Sequence, residues 1–178
     1  MKDEKAKSEL EVDVNEMTSM LDSYVSFVKT ESPEPIETII INELIGDIVK
    51  TFEKNGVKLT IKEKNTIQTS GRQIQLKRAF NNIIDNSQRY AKKIEIILYT
   101  NEKDCVIEFN DDGEGIPRDK YEDVFKPFFT LDPSRNKLKG ESGLGLTITR
   151  DIIRSHGGDV KLSESNLGGL QLKVLLPL

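Results

Sequence analysis

Apolar residues near the start of the chain recur at Leu10, Val14, Met17, Leu21, Tyr24 and Val28, alternately four and three apart. This heptad spacing predicts a helix over about Lys5 to Thr30, with a stripe that must be buried against other helices. Ser32-Pro33-Glu34-Pro35 ends it, because proline lacks an amide donor and disfavours helical geometry in the residue before it. A boundary is expected there, with residues 1–32 as one long stem helix and 33–178 as a separately folded domain. Beyond it, Glu37 to Ile41 is β-branched and strand-like, and Asn42 is placed to cap a helix that buries Leu44, Ile45, Ile48, Val49 and Phe52 and ends at Asn55-Gly56. Val57 to Ile61 alternates as a half-buried strand, a short strand lies near Ile67, and Gly71 precedes a helical pattern reaching Tyr90. Lys93 to Thr100 and Asp104 to Asn110 read as strands joined by a polar turn. Asp111 to about Glu141 is irregular, and a segment of that length inside a compact domain is usually functional, often a lid. A helix from about Gly143 to Ser155 and strands at Asp159 to Ser163 and Gly169 to Leu176 complete the order. It predicts an α/β (α+β) two-layer sandwich, a mixed sheet covered on one face by three helices.

Composition narrows the function classes. The 178 residues suffice for one such domain plus an appendage. Lys and Arg number 26 against 30 Asp and Glu, a net charge of −4, so nothing global attracts nucleic acid or an anionic membrane, and any anion site must be local. The single cysteine, Cys105, cannot form an internal disulfide. Its apolar surroundings suit a small buried hydrophobe, which favours a reducing, cytoplasmic setting. No stretch approaches the roughly 18 to 20 apolar residues of a membrane span, and the charged start is no signal peptide, so a soluble piece is expected.

Three motifs carry candidate chemistry, each with a bland alternative. On the helix ending at Tyr90, Leu76, Phe80, Ile83, Ile84 and Ser87 share a core face, while Asn82, Asn86 and Tyr90 follow at spacing four on another. Either the asparagines are solvated, or the spacing aims two carboxamides and a ring at one site. Asp111-Asp112-Gly113-Glu114-Gly115-Ile116-Pro117 follows a strand, where a carboxylate could accept a hydrogen bond from an amino group, although a plain turn also explains Asp-Gly. Gly140-Glu141-Ser142-Gly143-Leu144-Gly145-Leu146 opens an apolar helix whose first amides could cradle phosphate, with Ser142 a reasonable N-cap; an ordinary glycine-rich turn is the alternative. Between the last two motifs lie Phe125-Lys126-Pro127-Phe128-Phe129 and a basic cluster of Lys126, Arg135, Lys137 and Lys139 that suits a triphosphate.

Taken in order, Asn82 and Asn86 on a helix, Asp111-x-Gly113-x-Gly115 after a strand, an aromatic anchor, then Gly143-Leu144-Gly145-Leu146 opening a helix resemble the N, G1, F and G2 boxes of the histidine-kinase ATPase (GHKL) family. From Tyr24 onward the chain looks most like the EnvZ-type osmosensing kinases. The resemblance implies the Bergerat ATP-binding fold with ATP and Mg2+ as ligands. It implies that Asp111 binds the adenine amino group while Tyr90 and Ile116 pack near the base. It makes Asn86 the magnesium ligand, with Asn82 assisting at metal and phosphates. Arg89 and one of Arg135 or Lys137 would neutralise phosphate charge, and amides around Gly143, Leu144, Gly145 and Leu146 would hold the β and γ groups. Asn82 stands where the gyrase, MutL and Hsp90 branches resemble one another in a water-activating glutamate, and an amide cannot act as a general base. That favours transfer to a supplied nucleophile over hydrolysis.

Two departures accompany the resemblance. Glu141 occupies the first glycine position of the last box, and the family's acceptor histidine, followed by Glu or Asp on a first stem helix, is missing. The only histidine, His156, lies at a helix C-terminus, where capping or dipole complementarity suits it better than phosphoryl acceptance. The expected role is therefore a histidine-kinase catalytic domain. Its partners would be a histidine-bearing stem helix of the same or a partner protomer and a response-regulator receiver domain, in a homodimeric parent anchored in the bacterial inner membrane. A self-contained GHKL ATPase, an anti-sigma serine kinase and a catalytically silent nucleotide-responsive module are the alternatives.

Overall fold

The computed structural model describes Val14 and residues 34–53, 58–131 and 143–178. The expected stem helix and its proline boundary, the Asn55-Gly56 turn, and Arg135, Lys137, Gly140, Glu141 and Ser142 lie outside the described residues. Strand β1 (Glu37–Ile40), helix α1 (Ile41–Glu53), strands β2 (Lys58–Glu63) and β3 (Gln68–Gly71), helix α2 (Gln73–Tyr90), strands β4 (Lys93–Thr100) and β5 (Asp104–Asp111), helix α3 (Gly145–Ser155), and strands β6 (Asp159–Glu164) and β7 (Leu170–Pro177) follow in order.

Five strands form one sheet in the order β2-β4-β5-β7-β6, and β1 and β3 form a separate antiparallel pair. Only β2 and β4 run parallel, and α2 lies in the long crossover that such a pair requires. Registers such as Ile96 opposite Phe109 and Phe109 opposite Leu172 bring every second residue onto one face. That face carries Ile94, Ile96, Leu98, Cys105, Ile107, Leu172, Val174 and Leu176, all at most 3% exposed, and joins Leu76, Phe80, Ile83 and Ile84 of α2 and Ile148, Ile152 and Ile153 of α3 in one core. Phe80 and Phe109 meet there with ring centroids 6.0 Å apart. The opposite face is mixed: beside buried Val106, Glu108 accepts from the Tyr99 hydroxyl at 2.8 Å and pairs with Lys173 at 2.8 Å. Among the described residues no helix is long and apolar enough to cross a membrane.

Several boundaries differ from the sequence expectation for local reasons. Asn42 does not cap α1. It lies inside the first turn, and its carboxamide accepts from Ile67 N at 2.8 Å and donates to Asn65 O at 3.1 Å, fixing the approach to β3 instead. Asp111 is the last residue of β5, not the first of a turn. The irregular segment after it contains two short 3-10 turns, Arg118–Lys120 and Asp123–Phe125.

His156 acts structurally, as expected. Its Nδ1 lies 2.7 Å from Ile152 O and its Nε2 accepts from Arg72 N at 2.9 Å, which requires the neutral tautomer with the proton on Nδ1. One ring thereby finishes α3 and ties it to the start of α2. Cys105 is fully buried, and desolvation, reinforced by Asp104, pushes its thiol up to about 12. It is expected to resist a thiol-reactive disulfide reagent at pH 8 and to react at once in denaturant; reaction of the native protein at the denatured rate would contradict this burial. Because the unfolded thiol ionises near 9.0, its contribution to stability is intact below that pH and is lost as pH rises towards 12.

Candidate functional site

Helix α2 is held by its apolar stripe more than by propensity, since Asn81, Asn82, Asp85 and Asn86 are poor helix formers, and that stripe fixes which face looks away from the core. Ser87, on the buried face, is 6% exposed and donates its hydroxyl to Asp111 Oδ2 at 3.2 Å. The other carboxylate oxygen accepts from Gly113 N at 3.1 Å and Leu170 N at 2.9 Å, and Asp111 O accepts from Gly169 N at 3.1 Å. The Asp111 side chain, 5% exposed, is therefore held in one orientation by two strands, a helix and a turn. Burying a carboxylate is tolerable only with such compensation, and the rigidity suits recognition of one donor.

The glycines nearby are shaped by this. A Cβ at Gly169 would overlap Asp111 Oδ1 and Gly113 N and come within 2.7 Å of Asp111 O. A Cβ at Gly113 would lie 3.0 Å from Tyr90 O. Gly115 has φ 71°, and Ile116 beside it packs half-buried against the core. Asp112 is exposed and faces away: its Oδ1 accepts from Lys93 N and Lys92 N, both at 2.8 Å, and these amides hold its carboxyl below the usual range. It fastens the turn between α2 and β4.

One turn before Asn86, Asn82 donates from Nδ2 to Gly145 O at 3.3 Å, which joins α2 to the first residue of α3. With one N–H so used, Asn82 still offers a ligand its carboxamide oxygen and a second N–H. Thr149, fully buried, reinforces the junction, its hydroxyl 2.9 Å from Gly145 O and 3.4 Å from Ala79 O. The residue at the N-cap of α3 is Leu144, whose side chain is buried and cannot accept from the first amides of the helix. Gly143 has φ 64°, and a Cβ there would lie 2.8 Å from the Phe128 backbone, whereas a Cβ on Gly145 would meet nothing within 4 Å. Gly143 is thus demanded by the chain path. Gly145 leaves open space at a helix start, beside half-buried Leu146.

The aromatic segment is anchored to α3. Thr147 Oγ1 donates to Phe125 O at 2.9 Å, the Arg150 guanidinium lies 4.2 Å from the centroid of the Phe125 ring, and Arg150 pairs with Glu122 at 2.9 Å. Phe128 adopts φ 63°, uncommon for a bulky side chain, and its amide donates to Gly143 O at 3.1 Å.

The structure thus joins Asp111, Gly113 and the end of α2, and it joins Asn82 with Gly145. Asn86 is half-buried between these two junctions; Tyr90 is 40% exposed at the helix end. Arg89 is exposed and lies close enough to Asp85 to oppose the upward push that burial gives that carboxyl, so it stands beside an acid as well as near the site. Sequence reasoning missed Ser87, assigned to the core, and Gly169. A lone hydroxyl on an aliphatic stripe is the signal that could have found Ser87, since buried polar groups are nearly always paired.

A helix bearing carboxamides, locked to a buried strand-end carboxylate on one side and to an open, glycine-lined helix start on the other, defines an ATP-binding sandwich domain. Residues 71–178 match the family of histidine kinase-, DNA gyrase B-, and HSP90-like ATPases, and the chain belongs to it. The chain is 29% identical over 179 residues to the sensor histidine kinase GtrS of Pseudomonas aeruginosa, covering 99% of this chain and 37% of that protein. To the sensor histidine kinase CpxA of Escherichia coli it is 30% identical over 177 residues, covering 95% and 39%. It therefore spans less than half the length of these relatives. Among solved structures, the mycobacterial sensor histidine kinase MprB shares the fold with a TM-score of 0.70 at 23% identity, covering 80% of this chain and 97% of that one. The catalytic domain of histidine kinase ThkA does so with 0.71 at 23%, covering 80% and 95%. The similar proteins are sensor histidine kinases, and the relation is to the ATP-binding domain family rather than to the osmosensing subtype.

Proposed function

We propose that this domain captures ATP with magnesium and passes the γ-phosphoryl group to a histidine on a stem helix of the longer protein, for relay to a response-regulator receiver domain. The observation that carries the reading is the immobilised Asp111 carboxylate, joined through Ser87 to the helix that bears Asn86. In this reading residues 1–32 are part of the dimerisation stem and 33–178 the catalytic domain. The parent is a homodimer anchored in the bacterial inner membrane, with this domain on the cytoplasmic side. The similarity to GtrS covers 99% of the chain and so takes in residues of the proposed stem as well.

Asp111 accepts the adenine amino group, and Tyr90 and Ile116 flank the base. Asn86 offers its side-chain oxygen to the metal, and Asn82 offers the oxygen that Gly145 leaves available. Arg89, with Arg135 or Lys137, offsets phosphate charge, and the amides of Gly143, Leu144, Gly145 and Leu146 hold the terminal phosphates. The donor set fits magnesium: a single carboxamide oxygen, that of Asn86, suits an ion that typically takes one or two protein oxygens with phosphate and water completing its shell. When bound, it would neutralise charge on the β and γ groups. The protein's part is positioning: the bond from the γ-phosphorus to the bridging oxygen breaks as a nitrogen–phosphorus bond to the histidine forms in line, and ADP leaves.

The test mixes the chain with a separately made stem fragment containing the acceptor histidine and γ-labelled ATP. Acid-labile, alkali-stable label on the stem is expected, and Asn86→Ala is expected to reduce it at least a hundredfold, roughly 3 kcal/mol of lost charge stabilisation. Steady phosphate release without the stem would instead make the domain an ATPase.

A further inference from the structure

The start of α2 presents a problem that its own sequence does not solve. The N-cap residue is Arg72, whose side chain carries only donors and makes no capping hydrogen bond, and no acidic residue lies in the first turn. Uncapped first-turn amides leave a helix end exposed to fraying, and here that end faces solvent, with Ile74 72% exposed. The missing acceptor arrives from elsewhere in the chain. Glu34 Oε1 accepts from Ile74 N at 2.5 Å and its Oε2 from Gln75 N at 3.3 Å. The β1–β3 ladder, with Glu37 opposite Gly71, runs residues 34–36 alongside the first residues of α2 and so brings the carboxylate there. A negative charge at that terminus is also favoured by the helix dipole.

We propose that Glu34 is a strap: a positioning residue that caps the nucleotide-bearing helix from outside. It makes the placement of the segment leaving residues 1–33 and the integrity of the first turn of α2 a single equilibrium. The same helix carries Asn82, Asn86, Ser87 and Tyr90, so a displacement of that segment removes the cap from the element that holds the ligand. The coupling runs both ways, because whatever stiffens α2 must hold the strap more firmly. This second half rests on the nucleotide reading of α2 given above.

The test measures hydrogen exchange at the Ile74 and Gln75 amides in the whole chain, with and without magnesium-ADP, alongside ADP affinity by calorimetry. Glu34→Ala is expected to speed exchange at both amides about fivefold, the factor that corresponds to loss of an N-cap. Adding Arg72→Asp, which supplies a local acceptor, is expected to return exchange to within about twofold of wild type, a rescue that a merely packed Glu34 would not allow. Saturating ADP is expected to slow both amides, in the wild type and in Glu34→Ala alike. Unchanged exchange in Glu34→Ala, or no rescue by Arg72→Asp, overturns the cap. The expected ligand-free exchange effects, with both rates left unmoved by saturating ADP, overturn the coupling. A wild-type chain that binds no ADP defeats the nucleotide reading instead, while the exchange rates of the ligand-free variants still decide the cap.

Discussion

Asp111→Asn is expected to weaken ATP and ADP binding by about ten- to a hundredfold while shifting the melting temperature by no more than a few degrees. The asymmetry follows from the hydrogen bonds around the carboxylate. Oδ1 accepts two backbone amides, from Gly113 and Leu170, so an asparagine will keep its oxygen on that side. Its amino group then takes the place of Oδ2 and faces Ser87, whose hydroxyl can rotate from donor to acceptor. The fold keeps every bond. What disappears is the acceptor that would receive a donor from the ligand, together with its charge, a loss of about 1.5 to 3 kcal/mol for a charged hydrogen bond. Calorimetry with ADP on the two proteins decides the matter: equal affinities would mean that the purine is read elsewhere. GTP, which presents a carbonyl where adenine has its amino group, is expected to bind the wild type poorly and to gain relative to ATP in the variant.

Gly169→Ala is expected to act in the opposite way, destroying binding through the fold. Its Cβ would overlap Asp111 Oδ1 and Gly113 N and crowd Asp111 O, and two of these three atoms belong to backbone that cannot rotate away. Relief requires parting β5 from the start of β7, which breaks the Gly169 N to Asp111 O bond and unseats the carboxylate. A cost of about 3 kcal/mol is expected, with the melting temperature falling roughly 10 °C. A thermal melt that moves by less than a couple of degrees, with ADP still bound at wild-type strength, would show that this junction is far softer than described. By contrast, Gly145 has open space where a Cβ would go, so the chain path places no such demand there.

The sequence made some of this legible and not the rest, and the dividing line is physical. The helix ending at Tyr90 was readable because one apolar stripe fixes both its period and its orientation, so Asn82 and Asn86 could be placed on a common face without coordinates. Alternation likewise marked β2. It did not reveal that Glu37–Ile40 would leave the main sheet and pair with Gln68–Gly71, because alternation identifies a strand but not its partner. Asn42 reads as a cap from its position, but its carboxamide finds better partners at Asn65 and Ile67, more than twenty residues away. The same limit applies at the site. Asp111 stands out in a glycine-rich run, but the groups that hold it come from Ser87 and from Leu170, 59 residues further on, and no local pattern announces such a meeting.

The bond from Phe128 N to Gly143 O also has a bearing on how the domain tolerates change. It brings together the two points between which the basic stretch of the chain departs and returns, so the closure is made by backbone atoms that any sequence in between would retain. Extending a stretch whose ends are already pinned costs entropy only as the logarithm of its length, about 0.6 kcal/mol for a doubling. Insertions, deletions and charge exchanges between these two points are expected to leave the sheet and helices almost untouched.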